Sequence, residues 1–443
     1  MNFYFSTSAF IFFGILPVAA KQDAVSFRAD IAPVLVQKCQ SCHGPKKAKG
    51  KYRLDTFSHA IKPGAEELFY RITTDDEDER MPPDGDPLTV QQIAKFKKWV
   101  EGGAKYDAVD ADASLASILP ALEHPPAPQT YSRTIPVTAI DFLSDASLIA
   151  VAGYREVIIR TTEDGSLVRR IGNLPEKIHA IDFTMDGKLM VVAGGIPGRL
   201  GEVRVIDLSS GKVIQVLHKS EDLCFAAHFS PDDTKLATGG ADGTVRVFEV
   251  ENWNELVVFS NHSDWVNHVA WHPDGKMVAS ASRDHTAKVF DVSQKKRLSS
   301  YTGHDASIYA VQFHPESPDV FSGAGDGRLM RWRIKDSGTV REYVKHAEAV
   351  FHLALNPSMK SVLTASGDES LACLDWHNPG KRSNHQSSPV SSLCIAVSPD
   401  GKQVAAGDRN GTVRIWETGM VDSRIEFSGI VQSRIKDPNS KVE

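Results

Sequence analysis

The sequence has no basic stripe and no surplus of positive charge. Its 50 lysines and arginines stand against 56 aspartates and glutamates, which gives a formal net charge of -6 spread along the chain. A nucleic-acid-binding surface needs clustered basic residues, so nucleic acid is not expected as a partner. The chain also lacks G-x-S-x-G, H-E-x-x-H, Walker and dinucleotide-binding motifs. None of the hydrolase or nucleotide chemistries that depend on those motifs is indicated.

Charge is absent altogether from the first twenty residues, which are mostly apolar and end in Val18-Ala19-Ala20. Small residues after an apolar segment are typical of a signal-peptidase site, so residues 1–20 are predicted to be a signal peptide and the protein to be exported to the periplasm. Lys or Arg is normally found near the start of a signal peptide and is missing here. An uncleaved membrane anchor is therefore the alternative, and contact with a membrane is expected only in that case.

Cysteine is scarce, with five residues in 443. Cys224, Cys373 and Cys394 each lie inside an apolar, strand-like run. Free cysteine packs as a small hydrophobic residue, so these three are predicted to be buried thiols.

The other two cysteines belong to the pentapeptide C-Q-S-C-H, which ends in His43. In a C-x-x-C-H motif two thiols, here Cys39 and Cys42, add to the vinyl groups of a haem, and the adjacent imidazole ligates the iron from the proximal side. A zinc site would need a second cysteine pair nearby, and a thiol redox pair would need a surrounding βαβ pattern. The sequence shows neither, so one covalent haem c is predicted.

Two helices are expected to frame this haem in a small all-α domain over residues 25–106. Apolar residues at helical spacing predict one helix over residues 26–38. A second helix opens at Pro87-Leu88-Thr89, with Thr89 and Gln92 as a capping box in its first turn, and it ends at Gly102-Gly103.

The sixth iron ligand should come from the segment between the two helices. Met81 in Arg80-Met81-Pro82-Pro83 is preferred, because the prolines hold the chain extended and Met/His ligation is common in cytochromes c. His59 and an open coordination site are the alternatives.

These residues resemble the planctomycete-type cytochrome c domain over residues 27–104. The resemblance implies that Cys39, Cys42 and His43 bind haem and that the methionine of the R-M-P-P segment, Met81, is the distal ligand. It does not identify a redox partner, because domains of this family are attached to several different partner domains.

The rest of the chain is periodic. Residues 107–130 are rich in Ala, Asp and Pro and are predicted to be a linker, with a short helix near residues 114–122. Beyond it, turn residues recur at intervals of 41 to 46 residues, at Asp145, Asp186, Asp232, Asp274, Glu316, Ser358 and Asp400. This period is near that of a four-stranded blade, so residues 131–430 are predicted to form an all-β, seven-bladed propeller, with a flexible tail at 431–443.

The periodic part resembles the WD-repeat family. The resemblance implies a buried hydrogen-bond network of His304, Ser322, Asp326 and Trp332 in one blade. Weaker sets, with Phe290 or Leu374 in place of the tryptophan, are expected in two others: His262, Ser280 and Asp284, then His346, Thr364 and Asp368. Either residues 131–135 or residues 423–427 are expected to supply the outer strand of the last blade.

Taken together, the sequence predicts an exported mono-haem cytochrome that transfers electrons, with the propeller as a scaffold that docks a redox partner. Two alternatives remain open. One is a haem oxidoreductase with a catalytic propeller, and the other is an assembly scaffold whose haem is sensory or structural. Whether the protein is itself an enzyme is left undecided.

Overall fold

The computed structural model describes residues 25–44, 48–76, 78–83, 87–108, 110–119, 123–380, 382–385, 390–420 and 425–430. The predicted signal peptide, residues 1–20, and the predicted tail, residues 431–443, lie outside the described residues. The chain divides into two compact units, residues 1–122 and 123–443. Within the described ranges no helix has the length and apolar character needed to cross a membrane.

The first unit is helical. Its N-terminal helical run consists of a π-helical turn (Phe27–Ile31), α1 (Ala32–Val34), a second π-helical turn (Leu35–Cys39) and α2 (Gln40–His43). A 3-10 turn (Lys49–Lys51), α3 (Phe57–Ala60), α4 (Ala65–Thr73), α5 (Val90–Glu101) and α6 (Leu115–Ile118) follow. The small helical domain expected from the sequence is thus present.

Helix α5 has both features that the sequence pattern predicts, a capping box at its start and a buried apolar face. The Thr89 hydroxyl accepts a hydrogen bond from the Gln92 amide, and the Gln92 side chain accepts one from the Thr89 amide, so the predicted capping box is formed. Phe96 and Trp99 on one face of α5 are almost fully buried. The ring centroid of Trp99 lies 5.3 Å from that of Phe27 in the N-terminal run, so the two predicted helices share one core.

The segment predicted as a linker contributes to both units instead of lying free between them. In the first unit Leu115 and Ile118 are buried in the core, and the Leu115 amide donates to the Asp55 carbonyl at 2.8 Å. In the second unit the Arg170 guanidinium donates to the carbonyl of Gln129 at 2.9 Å. The boundary between the units therefore falls within the predicted linker. Of the residues expected to form a helix there, Leu115–Ile118 are helical, and residues 120–122 lie outside the described residues.

The second unit is a seven-bladed β-propeller, which confirms the prediction from the repeat. Each blade is one antiparallel sheet of four strands that are consecutive in the chain, and the innermost strand of each blade packs against that of the next. In chain order the blades are β1 (Ile140–Phe142), β2 (Leu148–Ala152), β3 (Val157–Thr161) and β4 (Leu167–Ile171); β5 (Lys177–Phe183), β6 (Leu189–Ile196), β7 (Leu200–Asp207) and β8 (Lys212–Ser220); β9 (Cys224–Phe229), β10 (Lys235–Gly240), β11 (Val245–Glu249) and β12 (Glu255–Phe259); β13 (Val266–Trp271), β14 (Met277–Ser282), β15 (Ala287–Asp291) and β16 (Lys296–Tyr301); β17 (Ile308–Phe313), β18 (Asp319–Ala324), β19 (Arg328–Arg333) and β20 (Thr339–Lys345); β21 (Val350–Asn356), β22 (Ser361–Ser366), β23 (Leu371–Asp375) and β24 (Arg382–His385); and β25 (Ser392–Val397), β26 (Gln403–Asp408), β27 (Thr412–Glu417) and β28 (Ile425–Ser428).

The turn residues that revealed the repeat close the first hairpin of their blades. The carboxylates of Asp145 and Asp274 each accept a hydrogen bond from the amide two residues further on, at 3.0 and 2.9 Å. Asp186, Asp232 and Asp400 do the same. Aspartate is suited to this position because its short side chain can bond to the backbone of its own turn.

In the described part of the chain, blade 7 and blade 1 meet without exchanging a strand. Of the two predicted candidates for the outer strand of blade 7, the C-terminal one is correct, since β28 pairs with β27. The ring closes through packing: a Cβ on Gly407 would lie 2.3 Å from Val137, so glycine is needed for the two blades to approach. Gly239 and Gly323 stand in the same relation to Val266 and Val350, so this seam repeats a contact found between other blades.

The predicted His/Ser/Asp sets are present in blades 4, 5 and 6. In blade 5 the His304 ring forms hydrogen bonds through Nε2 to the Ser322 hydroxyl at 2.8 Å and through Nδ1 to the Asp326 carboxylate at 3.0 Å. The fourth member differs from the prediction, because Nε1 of the buried Trp332 has no hydrogen-bond partner in the described part of the chain. Trp332 instead stacks on Tyr301, with ring centroids 5.0 Å apart. In blade 4, His262 forms hydrogen bonds to Ser280 and Asp284. In blade 6, His346 forms hydrogen bonds to Thr364 and Asp368.

A further set in blade 3 was missed by the sequence analysis. The His218 ring contacts Thr238 at 2.7 Å and Asp242 at 3.2 Å. In this set the partners follow the histidine by 20 and 24 residues, against 18 and 22 in blades 4 to 6. A search that tolerated two inserted residues would have found it.

Candidate functional site

The three residues of the C-x-x-C-H motif lie where the N-terminal helical run ends. Cys39 is the last residue of the second π-helical turn, and Cys42 and His43 belong to α2. The described structure brings all three to the wall of one cavity of about 630 Å³. The short helix keeps the two sulfurs and the imidazole on the same cavity wall, as the spacing of the motif predicts.

The orientation of the buried His43 ring is fixed by the backbone. Its Nδ1 atom lies 3.0 Å from the carbonyl oxygen of Tyr52, which can only accept a hydrogen bond. The proton therefore sits on Nδ1, and Nε2 carries the lone pair that could bind a metal. The extended segment that contains Tyr52 is held in place in turn, because the Leu54 amide donates to the His43 carbonyl at 2.7 Å.

The two cysteines are free thiols in this structure. Burial, and then the proximity of Cys42, raise the pKa of the Cys39 thiol to about 11. Catalytic thiol pairs have lowered pKa values, so this environment does not favour a redox-active dithiol. An apolar pocket that keeps Cys39 protonated agrees better with a thiol that is consumed in a covalent bond.

Met81 lines the same cavity as the motif, together with Pro82 and Pro83. Its backbone amide donates to the carbonyl of Arg71 in α4 at 2.7 Å, which anchors the segment to that helix. Arg71 is itself held by an ion pair with Glu67, one turn earlier in α4, at 2.8 Å. The helix α4 thus positions Met81.

The competing candidate, His59, lies on α3 and does not belong to the described residues that line the cavity. Its Nδ1 is 2.9 Å from the hydroxyl of Thr56 and 3.4 Å from the carboxylate of Asp55. These contacts direct the ring to the N-terminal end of its own helix.

The remaining wall of the cavity combines apolar side chains with a basic border. Leu54, Leu68 and Ile72 are almost fully buried and supply apolar surface. Among the described lining residues, positive charge comes from Lys38, Lys49, Lys51, Lys62 and Arg71, and the one carboxylate is that of Glu67.

These residues fit a haem. The volume is within the range of cofactor pockets, the apolar wall suits a porphyrin, and the basic border suits its two anionic propionates. Two thiols and an imidazole with a free Nε2 are the groups that covalent attachment and proximal ligation require.

The architecture defines a class: a helical unit of the cytochrome c type joined in one chain to a WD-repeat propeller. Residues 39–85, which include the motif and Met81, match the family model described as planctomycete cytochrome C. Residues 211–249, 253–291, 295–333 and 376–417 match the WD domain, G-beta repeat. Both resemblances are thereby confirmed, and the first implies haem c as the cofactor. No curated protein matches the chain.

In the helical unit the sequence analysis missed two contacts of Tyr52. Its carbonyl orients His43, and its hydroxyl donates to the carbonyl of Ala60. A backbone carbonyl can be supplied by any residue type, so the sequence carries no signal for this role.

Proposed function

We propose that this protein is an exported c-type cytochrome that carries one covalent haem and transfers electrons, with the propeller as a scaffold that docks its redox partner. The observation that carries the proposal is the shared cavity: Cys39, Cys42, His43 and Met81 all line it, and the His43 ring has a fixed tautomer.

Each of these residues has a defined role in the proposal. Cys39 and Cys42 form the two thioether bonds, His43 is the proximal ligand through Nε2, and Met81 is the distal ligand. When bound, the haem supplies a one-electron couple between ferric and ferrous iron. The Tyr52 carbonyl accepts the Nδ1 proton and so holds His43 as a neutral donor. The buried apolar wall limits the access of water to the porphyrin.

Export is supported by the sequence of residues 1–20, which has the features of a signal peptide. Docking by the propeller is supported by its closed ring of seven blades and by the match to WD repeats. The electron donor and acceptor are proteins of unspecified identity.

Covalent attachment tests the cofactor proposal directly. Protein produced with a periplasmic haem-attachment system should keep one haem per chain after denaturation and extraction with acid-acetone. The double variant Cys39→Ala, Cys42→Ala should lose all bound haem, because no thiol is left at the cavity to form a thioether. Cys224→Ala, which removes a buried propeller thiol, is the matched control and should keep the haem. Haem that extracts from the wild type would refute covalent attachment.

A further inference from the structure

The innermost strands of the seven blades enclose a central channel with a volume of about 900 Å³. The histidines in this channel are not those of the WD-type sets. His179, His228, His268 and His352 line it, and they come from blades 2, 3, 4 and 6. The repeat pattern therefore gives no structural reason for them.

Several polar groups in the channel lack partners. His268 is 5 % exposed, and among the described residues neither of its ring nitrogens has a hydrogen bond of good geometry. Its ring centroid lies 5.0 Å from that of His228 and 5.3 Å from that of His352. The buried Nε2 of His179 likewise has no partner in the part of the chain that the structure describes. Unpartnered buried polar atoms are rare, and each calls for an explanation, of which a bound ligand or ion is one.

Two carboxylates, Asp141 and Asp182, face the same channel. Burial, and then the negative charge of Asp182, raise the pKa of Asp141 well above its usual value. Asp182 accepts a hydrogen bond from the Phe229 amide at 2.7 Å and lies 3.6 Å from the His228 ring. A cation placed beside this pair would favour the ionised form of Asp141, which burial and the charge of Asp182 otherwise disfavour.

The channel supplies little positive charge of its own. Burial is the largest cause that lowers the pKa of His179 and of His352 to about 4 and that of His268 well below its usual value, so these rings are neutral at pH 7. Among the described lining residues the only Lys or Arg is Arg283, whose guanidinium stacks on Trp265 and lies 3.6 Å from Asp264.

Aromatic side chains add a second recognition element. Phe225 and Trp265 have ring centroids 5.2 Å apart, and Tyr309 and Phe351 have centroids 5.5 Å apart. Aromatic faces attract organic cations.

The aromatic and polar residues lie at different depths in the channel. Phe225 precedes His228 by three residues in β9, as His179 precedes Asp182 in β5, and a register shift at the start of each strand lets both members of a pair line the channel. At a rise of about 3.3 Å per residue the two levels are separated by about 10 Å.

From these observations we infer that the channel binds an alkyl-linked organic cation, a primary ammonium or a guanidinium. Its charged group would lie between Asp141 and Asp182, with an N–H donor directed to the ring nitrogen of neutral His268 that carries the lone pair, and its chain would pass His179 and Phe225 at the aromatic level. A metal ion is less well suited, because the described residues contain no group of three or more His, Cys, Asp or Glu arranged to hold one. The inference is independent of the haem.

Isothermal titration of the full-length protein with agmatine, at low salt, tests this site. We expect saturable binding to the wild type and at least a tenfold loss of affinity, about 1.4 kcal/mol, in Asp141→Asn and in Asp182→Asn. Glu251→Gln removes an exposed carboxylate between β11 and β12 and should leave the affinity unchanged. The uncharged analogue 1,4-butanediol should give no binding.

A second ligand distinguishes the possible sources of the cation, and a third variant tests the site should an aspartate variant fail to fold. Tighter binding of N-acetyl-arginine methylamide than of agmatine would assign the site to a side chain of a partner protein, and the reverse order would assign it to a free amine. Should an aspartate variant fail to fold, Phe351→Leu should still weaken agmatine binding several-fold. Absence of saturable binding, equal affinity in the wild type and both aspartate variants, or binding of Zn²⁺ without binding of agmatine would overturn the inference.

Discussion

Trp332 offers a clear test of how a propeller blade is stabilised. The side chain is fully buried and stacks on Tyr301, and its Nε1 has no hydrogen-bond partner in the described structure. Blades 4 and 6 have Phe290 and Leu374 at the same position and still form their His/Ser/Asp or His/Thr/Asp bonds. The indole should therefore contribute through packing and not through its N–H group.

Two substitutions separate these contributions. Trp332→Ala leaves a large cavity and should lower the free energy of unfolding of the propeller by about 3 to 5 kcal/mol. Trp332→Phe keeps most of the stacked ring and removes an unpartnered buried donor. The loss of a few CH groups, about 1 kcal/mol, is then offset by relief of the desolvation cost of the N–H group. The net change should lie within about 1 kcal/mol of zero.

Denaturant unfolding of the full-length protein, followed by far-ultraviolet circular dichroism, measures these differences. In protein that carries the proposed haem, its absorbance would follow the helical unit separately, so a change confined to the propeller could be recognised. A loss of 3 kcal/mol or more in Trp332→Phe would show that the N–H group forms an essential bond, and the reasoning from packing would be refuted.

Three other predictions concern the distal iron ligand and the pH dependence of the stability of the propeller. Met81→Ala should open the iron to carbon monoxide, and Met81→His should stay low-spin with a lower reduction potential, because a thioether stabilises ferrous iron relative to a second imidazole. His59→Ala should leave the spectrum unchanged, and a high-spin ferric form in that variant would make His59 the ligand. Burial acts to raise the pKa of Asp326, but hydrogen bonds from Arg328 and the contact with His304 outweigh it and lower this pKa to about 2 from 3.8. Its stabilising effect is thus complete above pH 4 and is lost as the pH falls towards 2, so the stability difference between wild type and Asp326→Asn should shrink by about 2 kcal/mol over that interval, as measured by unfolding at each pH.

The propeller could be predicted from the sequence because its signal is repeated. Residues such as Asp145 and Asp274 bond to their own turns, so a local requirement recurs in the chain at the spacing of the blades. The channel was not predicted, because a residue such as His268 or Asp182 differs from blade to blade. Only the β-bulges of the inner strands determine which of these side chains reach the channel.

The helical unit shows a similar division. The capping box of Thr89 and the buried face of α5 are local patterns, and both were predicted correctly. The burial of Leu115 and Ile118 depends on a docking contact with the rest of the unit, and two apolar residues in an Ala- and Asp-rich segment are too few to indicate it. Whether Met81 ligates iron stays a prediction, although the structure brings its segment to the cavity.

In the described structure no strand is exchanged where blade 7 meets blade 1. The ring could therefore be opened between any two of the seven blades. Every sheet is built from one continuous stretch of chain, and the contact of Gly407 with Val137 has counterparts between other blades. A circular permutant that joins residues 131 and 430 and begins at any turn between two blades would retain every ladder hydrogen bond. Another domain could accordingly be attached ahead of any blade, and its point of attachment is a matter of chain order and not of the stability of the ring.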